Sequence, residues 1–320
     1  MATSALDLRQ AIVEQALRDA ALHKALVDQL EEGVYIVDRE RRILFWNAAA
    51  ERISGYMEHE VSGRFCHDNL LMHCDNEGGI LCGKGCPLSA VMHDGKPREC
   101  EIFLRHRQGH RVPVRVRARP IYDPHGVAIG AVEIFQEAVP VARGEVPSLQ
   151  AFGCLDEITG AANRKYGETR VRQAMEVLDL HGIPFGWLRI RLDRANELEQ
   201  IHGKQAIAAA LKTVAATLDR NIGSFDVLTR WSESEFRIEA HNCAWPELEA
   251  MAKKLVALVG ASSLVWCDNR LSIGISVAGV AAEHGDTLES LETRAGETSL
   301  NSQANGGNRS ALAARIINLT

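Results

Sequence analysis

The sequence predicts an α+β chain of two domains: an N-terminal helix with a small antiparallel sheet and short helices, then an α/β domain whose central sheet is flanked by helices. Three observations carry this. The 320 residues, 46% of them hydrophobic, can build two cores. From Gly33 to Glu137 the chain reads as short apolar runs separated by turn residues, the pattern of strands. Residues 138–147 then contain Pro140, Gly144 and Pro147, which no uninterrupted helix accommodates. The expected boundaries are residues 1–30 for the helix, 31–137 for the first domain, 138–150 for a linker and 151–314 for the second domain.

Each element follows from its residues. Residues 5–32 are rich in Ala, Leu, Gln and charge and lack Gly and Pro, so they read as a helix. Val13, Leu17, Leu26 and Leu30 share a related face, which suits packing on the domain or a dimer-forming coil equally. Strands are expected at 34–38, 42–47, 100–104, 111–120 and 128–135, with a helix over 48–56. Gln108, Gly109 and His110, and Asp123 to Gly126, supply turns. Arg115, Arg117 and Arg119 alternate as a solvated strand face, and Arg105 to Arg107 read the same way. In the second domain, Trp187 to Leu192 reads as a buried strand running into a helix.

Composition excludes some functions. A net charge of −6 gives no general reason to expect nucleic acid or an acidic membrane as partner. No apolar segment approaches the roughly 20 residues of a membrane-spanning helix. The first ten residues lack the apolar core of a signal peptide. A cytoplasmic protein with reduced thiols is the expectation.

Asp38 in a turn between two strands, and Asn47 opening a helix that ends in Gly55 and Tyr56, resemble the entry of a PAS domain. With the three later strands, the resemblance covers residues 31–137 and implies a sensor. The second domain is similar to the GGDEF domain of diguanylate cyclases. The residues that carry the likeness are Asp156 to Arg164, Arg230 to Phe236, Leu271 to Val277 and Gly306 to Arg309, in that order. The resemblance implies an enzyme that joins two GTP molecules across a dimer with the help of metal ions. Yet Ser232 and Glu233 stand where the family has two glycines, and Ser234 where it has a metal-binding acid, with Glu235 next. Arg191 takes the other metal-binding position, while Asp193 matches the second acid of that pair. The guanine-reading positions are Glu199 and Ala208, and the phosphate-binding positions are Gln303 and Gly307. Of the product-inhibition motif, Asp226 is present and Gly223 replaces its arginine. The resemblance therefore implies a degenerate cyclase with no catalytic residues at the expected places.

Cys66, Cys74, Cys82 and Cys86 lie within 21 residues and make up half of the chain's eight cysteines. The spacing of Cys82 and Cys86, the glycines between them and Pro87 after them suit a metal-binding loop. Three readings stay open: a zinc or iron–sulfur site, a reversible Cys82–Cys86 disulfide, and packing. His67 and His73 are alternative ligands, whereas Cys154, Cys243 and Cys267 read as structural. The expected protein is a homodimeric signalling protein in which the first domain regulates an inactive second domain that contacts itself or a signalling partner. The alternatives are an active cyclase that uses Glu233 or Glu235 for metal, and a cofactor-free interaction module.

Overall fold

The computed structural model describes residues 19–138, 146–267, 269–303 and 310–312. Val13, Leu17, most of the linker and Gly307 lie outside the described residues. Among the described residues no helix is long and apolar enough to cross a membrane. The described residues form two compact units. One holds those of Met1–Met72 with Leu81–Ile102 and Val114–Ala138; the other holds His73–Ile80, Phe103–Pro113 and those of Val139–Thr320.

In the first unit, α1 (residues 19–27) precedes β1 (Gly33–Asp38) and β2 (Ile43–Trp46). Asp38 makes the turn between these strands, its Oδ1 accepting from the Arg42 amide at 2.8 Å. Asn47 caps α2 (Ala48–Ser54) with Oδ1, which accepts from the Ala50 amide at 2.9 Å and from the Val34 amide at 2.8 Å. One side chain thus ties the helix start to β1 and replaces orphan helix partners. Gly55 ends the helix in the left-handed region. Two short helices follow, α3 (Glu58–Val61) and α4 (Pro87–Asp94), before β3 (Arg98–Arg105), β4 (Arg111–Tyr122) and β5 (Ala128–Glu137), the end of β3 and the start of β4 being counted with the second unit.

These strands form a sheet in the order β2-β1-β5-β4-β3. The β1–β2, β1–β5 and β4–β5 pairs are antiparallel. Tyr35, Trp46 and Phe135 make an aromatic core with ring centroids 5.4–6.4 Å apart. On β4, Val114, Val116 and Ala118 are buried while Arg115, Arg117 and Arg119 keep more exposure, as the alternation predicts. Arg105 departs from expectation: it is buried, and its guanidinium bonds the Ser263 hydroxyl at 3.3 Å within the second unit. Alternation marks which way a residue points, not what will cover it.

The second unit opens with α5 (Val146–Ala151), β6 (Ala162–Asn163) and α6 (Arg164–His181). β7 (Phe185–Leu192) leads into α7 (Ala195–Asp219), which is broken at Gly203 with φ 81° and ψ 174°. Next come β8 (Val227–Arg230), β9 (Glu235–His241), α8 (Trp245–Gly260), β10 (Ser263–Trp266) and β11 (Asn269–Ser272). β12 (Ile275–Ala281), α9 (Leu288–Gln303) and β13 (Ser310–Leu312) complete it. The sheet order is β13-β12-β7-β9-β8-β6, with β10–β11 a separate hairpin.

Residues 271–277, expected as one strand, are divided between the β10–β11 hairpin and β12. The break falls at Ile273 and Gly274, where the Gly274 carbonyl accepts the Asp193 amide at 3.0 Å. β7 sorts its side chains by period two. Leu188, Ile190 and Leu192 join the core built with α7 and α8, while Phe185 and Trp187 join the smaller core with α6 and α9. Arg189 and Arg191 share the Trp187 face.

Candidate functional site in the second unit

Local chemistry builds the frame of the site. Asp156 Oδ1 accepts from both the amide and the hydroxyl of Thr159, at 2.8 and 2.6 Å, which fixes the turn before β6. Asn163 then caps α6, its Oδ1 accepting from the Tyr166 amide at 3.0 Å. The segment from Asp156 to Arg164 is therefore a turn and a helix cap.

The turn between β8 and β9 spans Trp231 to Ser234. It closes by the Trp231 amide donating to the Glu235 carbonyl at 2.9 Å, with the Ser232 amide at 3.3 Å from the same oxygen. Trp231 is buried edge-on against Trp187, their centroids 5.6 Å apart. The Arg164 and Arg237 guanidinia lie 4.9 and 5.2 Å from its ring centre. The tip is thus anchored by an aromatic residue flanked by cations, while Ser232 and Glu233 are exposed and Ser234 is half-buried.

Arg191 stands directly opposite Glu235 on β9 and Ser276 on β12. The Ser276 hydroxyl donates to Asp193 Oδ1 at 2.6 Å. Both oxygens of Glu235 are engaged: Oε1 accepts from Arg189 Nη2 at 2.8 Å and Oε2 from Arg237 Nη2 at 3.2 Å. Those guanidinia outweigh the burial of the carboxyl and hold Glu235 below its ordinary range. Arg237, only 1% exposed, also donates through Nε and Nη2 to Glu292 of α9, both at 2.7 Å. Trp187 Nε1 adds a third bond to Glu292 at 2.8 Å.

This network of Arg189, Glu235, Arg237 and Glu292 escaped the sequence reading. Its only signal was a pair of arginines alternating along a strand expected to be buried. Chemically, a guanidinium offers only donors and cannot ligate a cation. Glu199 and Ala208 both lie on α7, half-buried, and an alanine has no atom to accept a base's N–H. Gln303 ends α9. Asp226 is occupied by backbone: Oδ2 accepts the Gly223 amide at 2.7 Å and Oδ1 the His241 amide at 2.9 Å.

The cysteines separate. Cys74 falls in the second unit, where its amide and carbonyl pair with Phe103 at 3.0 and 2.9 Å. Cys66, Cys82 and Cys86 fall in the first unit. There Cys66 and Cys86 are buried, and the wholly buried Glu133 acts on Cys66 and on Cys100, which the sequence reading left out of the group. Burial first, then the neighbouring Cys86 and Glu133, push the Cys66 thiol far above its usual range. A thiol held protonated is a poor nucleophile. Among the described residues, no three His, Cys, Asp or Glu side chains are gathered as a metal site.

Comparison with known proteins agrees with this architecture. Residues 27–139 match the family model of the PAS fold, and residues 154–309 match that described as diguanylate cyclase, GGDEF domain. The chain joins a PAS domain to a GGDEF domain. Over 268 residues it is 25% identical to the probable diguanylate cyclase DgcE of Escherichia coli K12, covering 82% of this chain and 23% of that protein. The response regulator PleD of Caulobacter vibrioides is 27% identical over 157 residues, 48% of this chain and 34% of PleD. The chain therefore spans 23% and 34% of the length of these relatives. The crystal structure of diguanylate cyclase SiaD with its activator SiaC from Pseudomonas aeruginosa superposes with a TM-score of 0.51. It shares 19% identity and covers 53% of this chain and 66% of that one, a likeness of fold.

Proposed function

We propose that this is a cytoplasmic, homodimeric signalling protein whose PAS domain regulates a GGDEF domain that makes no cyclic dinucleotide and acts through protein contacts. The observation that carries the reading is the commitment of Glu235 to Arg189 and Arg237, with Arg191 opposite it. A divalent cation needs anionic or neutral oxygen ligands. The donor set here does not fit one, because the one carboxylate beside Arg191 and Ser234 is already neutralised by guanidinia. Glu233 is exposed at the tip of the turn. That SiaD was crystallised with a protein activator supports a role in protein contacts for such folds.

Purified protein given GTP with Mg²⁺ or Mn²⁺ is expected to release no cyclic dinucleotide above a no-protein control. Ser234→Asp alone should not restore turnover, since Arg191 persists. Product formation that disappears in Glu235→Ala would overturn the reading and establish an active cyclase. GTP itself should bind weakly, because each lost charged hydrogen bond removes about 1.5–3 kcal/mol. Calorimetry checks this.

For the input signal, the proposed seat is the segment that carries Cys66, Cys74, Cys82 and Cys86, whose spacing in sequence suits a zinc or iron–sulfur site. The support is this spacing alone, since the described residues gather no three such side chains as a metal site. Anaerobically purified protein is expected to carry stoichiometric metal that Cys86→Ser loses and Cys243→Ser keeps. Metal-free protein would instead leave these thiols as packing.

A further inference from the structure

The second unit holds a cleft of about 290 Å³ that shares no residue with the GGDEF positions described above. The turn between β3 and β4 forms one side, α7 and β10 the other. His110 lines it and is 4% exposed, yet neither Nδ1 nor Nε2 has a hydrogen-bond partner among the described residues. Its ring face is covered by His106, stacked at 4.3 Å and 22°, so both nitrogens remain at the ring edge. Burial, with His106 and Arg220 nearby, lowers its pKa to about 3, and the ring is neutral with one donor and one acceptor.

The turn that presents His110 is held firmly. The Thr213 hydroxyl donates to the Gln108 carbonyl at 3.3 Å, and the Ser263 amide donates to the Gly109 carbonyl at 3.3 Å. A Cβ on Gly109 would fall 1.8 Å from the Ser263 carbonyl oxygen, so only glycine fits where this turn meets β10. The cleft also bears Lys212, an exposed ammonium with no ion pair or hydrogen bond among the described residues. The rest of its lining is Arg107, Gln108 and Thr213 together with an apolar wall of Ala209, Ala216, Leu264 and Val265.

A buried polar group without a partner is uncommon and calls for an occupant. An apolar wall with few convergent polar groups is the usual form of a small-molecule site, and this volume suits a small one. We propose that the cleft binds a small organic monocarboxylate, its apolar body against the Ala209, Ala216, Leu264 and Val265 wall and its carboxylate between His110 and Lys212. One oxygen accepts from the imidazole N–H and the other pairs with the ammonium. This site is independent of whether the GGDEF domain is catalytic.

The test uses the full chain with benzoate as probe and benzamide as its uncharged counterpart. Benzoate is expected to raise the thermal transition saturably and to shift the side-chain nitrogen resonances of His110. Benzamide should bind at least about tenfold more weakly. Lys212→Met, on an exposed side chain whose loss leaves folding intact, should weaken benzoate by about tenfold. His110→Phe, which keeps the ring volume, should do the same. No saturable binding up to about 10 mM, equal affinity for benzamide, or unchanged affinity in Lys212→Met would each overturn the proposal.

Discussion

Glu292→Ala will destabilise the second unit by about 3 kcal/mol, the cost of taking from a buried charge the main one of its two counterions. Arg237 is almost fully buried, and two of its three carboxylate bonds go to Glu292. Removing that carboxylate also strands Trp187 Nε1 and releases the tie between α9 and the sheet. Urea denaturation of both proteins measures the difference. Glu292→Gln keeps an acceptor and should cost less. The pair Arg237→Met with Glu292→Leu should return most of the stability, because apolar groups of similar size need no partner. A single mutant close to wild type would show that water compensates Arg237 and that the network is peripheral.

Glu133→Gln is expected to abolish a pH dependence of stability in the first unit. Glu133 is wholly buried, and burial raises its pKa to about 8, with the Tyr35 hydroxyl bond opposing only in part. The sign follows from linkage. Since the folded value lies above the ordinary 4.5, the unfolded chain binds fewer protons between these values. The contribution is therefore fully present below pH 4.5, declines as pH rises and is gone above about pH 8. At roughly 1.4 kcal/mol per unit, the span is on the order of 5 kcal/mol. Glutamine cannot ionise, so the variant should be as stable as the wild type near pH 4.5 and more stable near pH 8. Denaturation at several pH values checks both. Parallel profiles would place the titration elsewhere, with Glu239 in the second unit, raised to about 7, the next group to test.

The two domains were legible because their signals are local. Period-two alternation, the Asp38 turn, the Asn47 and Asn163 caps and the Asp156 turn each use residues a few positions apart, and the backbone obeys them whatever lies around. The cysteine segment was legible only as a group. Neighbours in sequence need not be neighbours in space, and the fold put Cys74 in one unit and Cys66, Cys82 and Cys86 in the other. It also brought Cys100 and Glu133, 34 and 67 residues beyond Cys66, into the same electrostatic field.

By itself, the sequence determined the kinds of side chain available to the GGDEF site: Arg191, Ser234, Glu199 and Ala208 set its chemistry wherever they fall. Only the tertiary structure decided that Glu235 is spent on Arg189 and Arg237, that Arg237 is locked by a glutamate 55 residues away, and that His110 is left without a partner. The physical reason is that a side chain's chemistry belongs to its residue type, whereas its charge state and availability depend on what desolvates and pairs it. Those neighbours come from strands and helices distant in the chain.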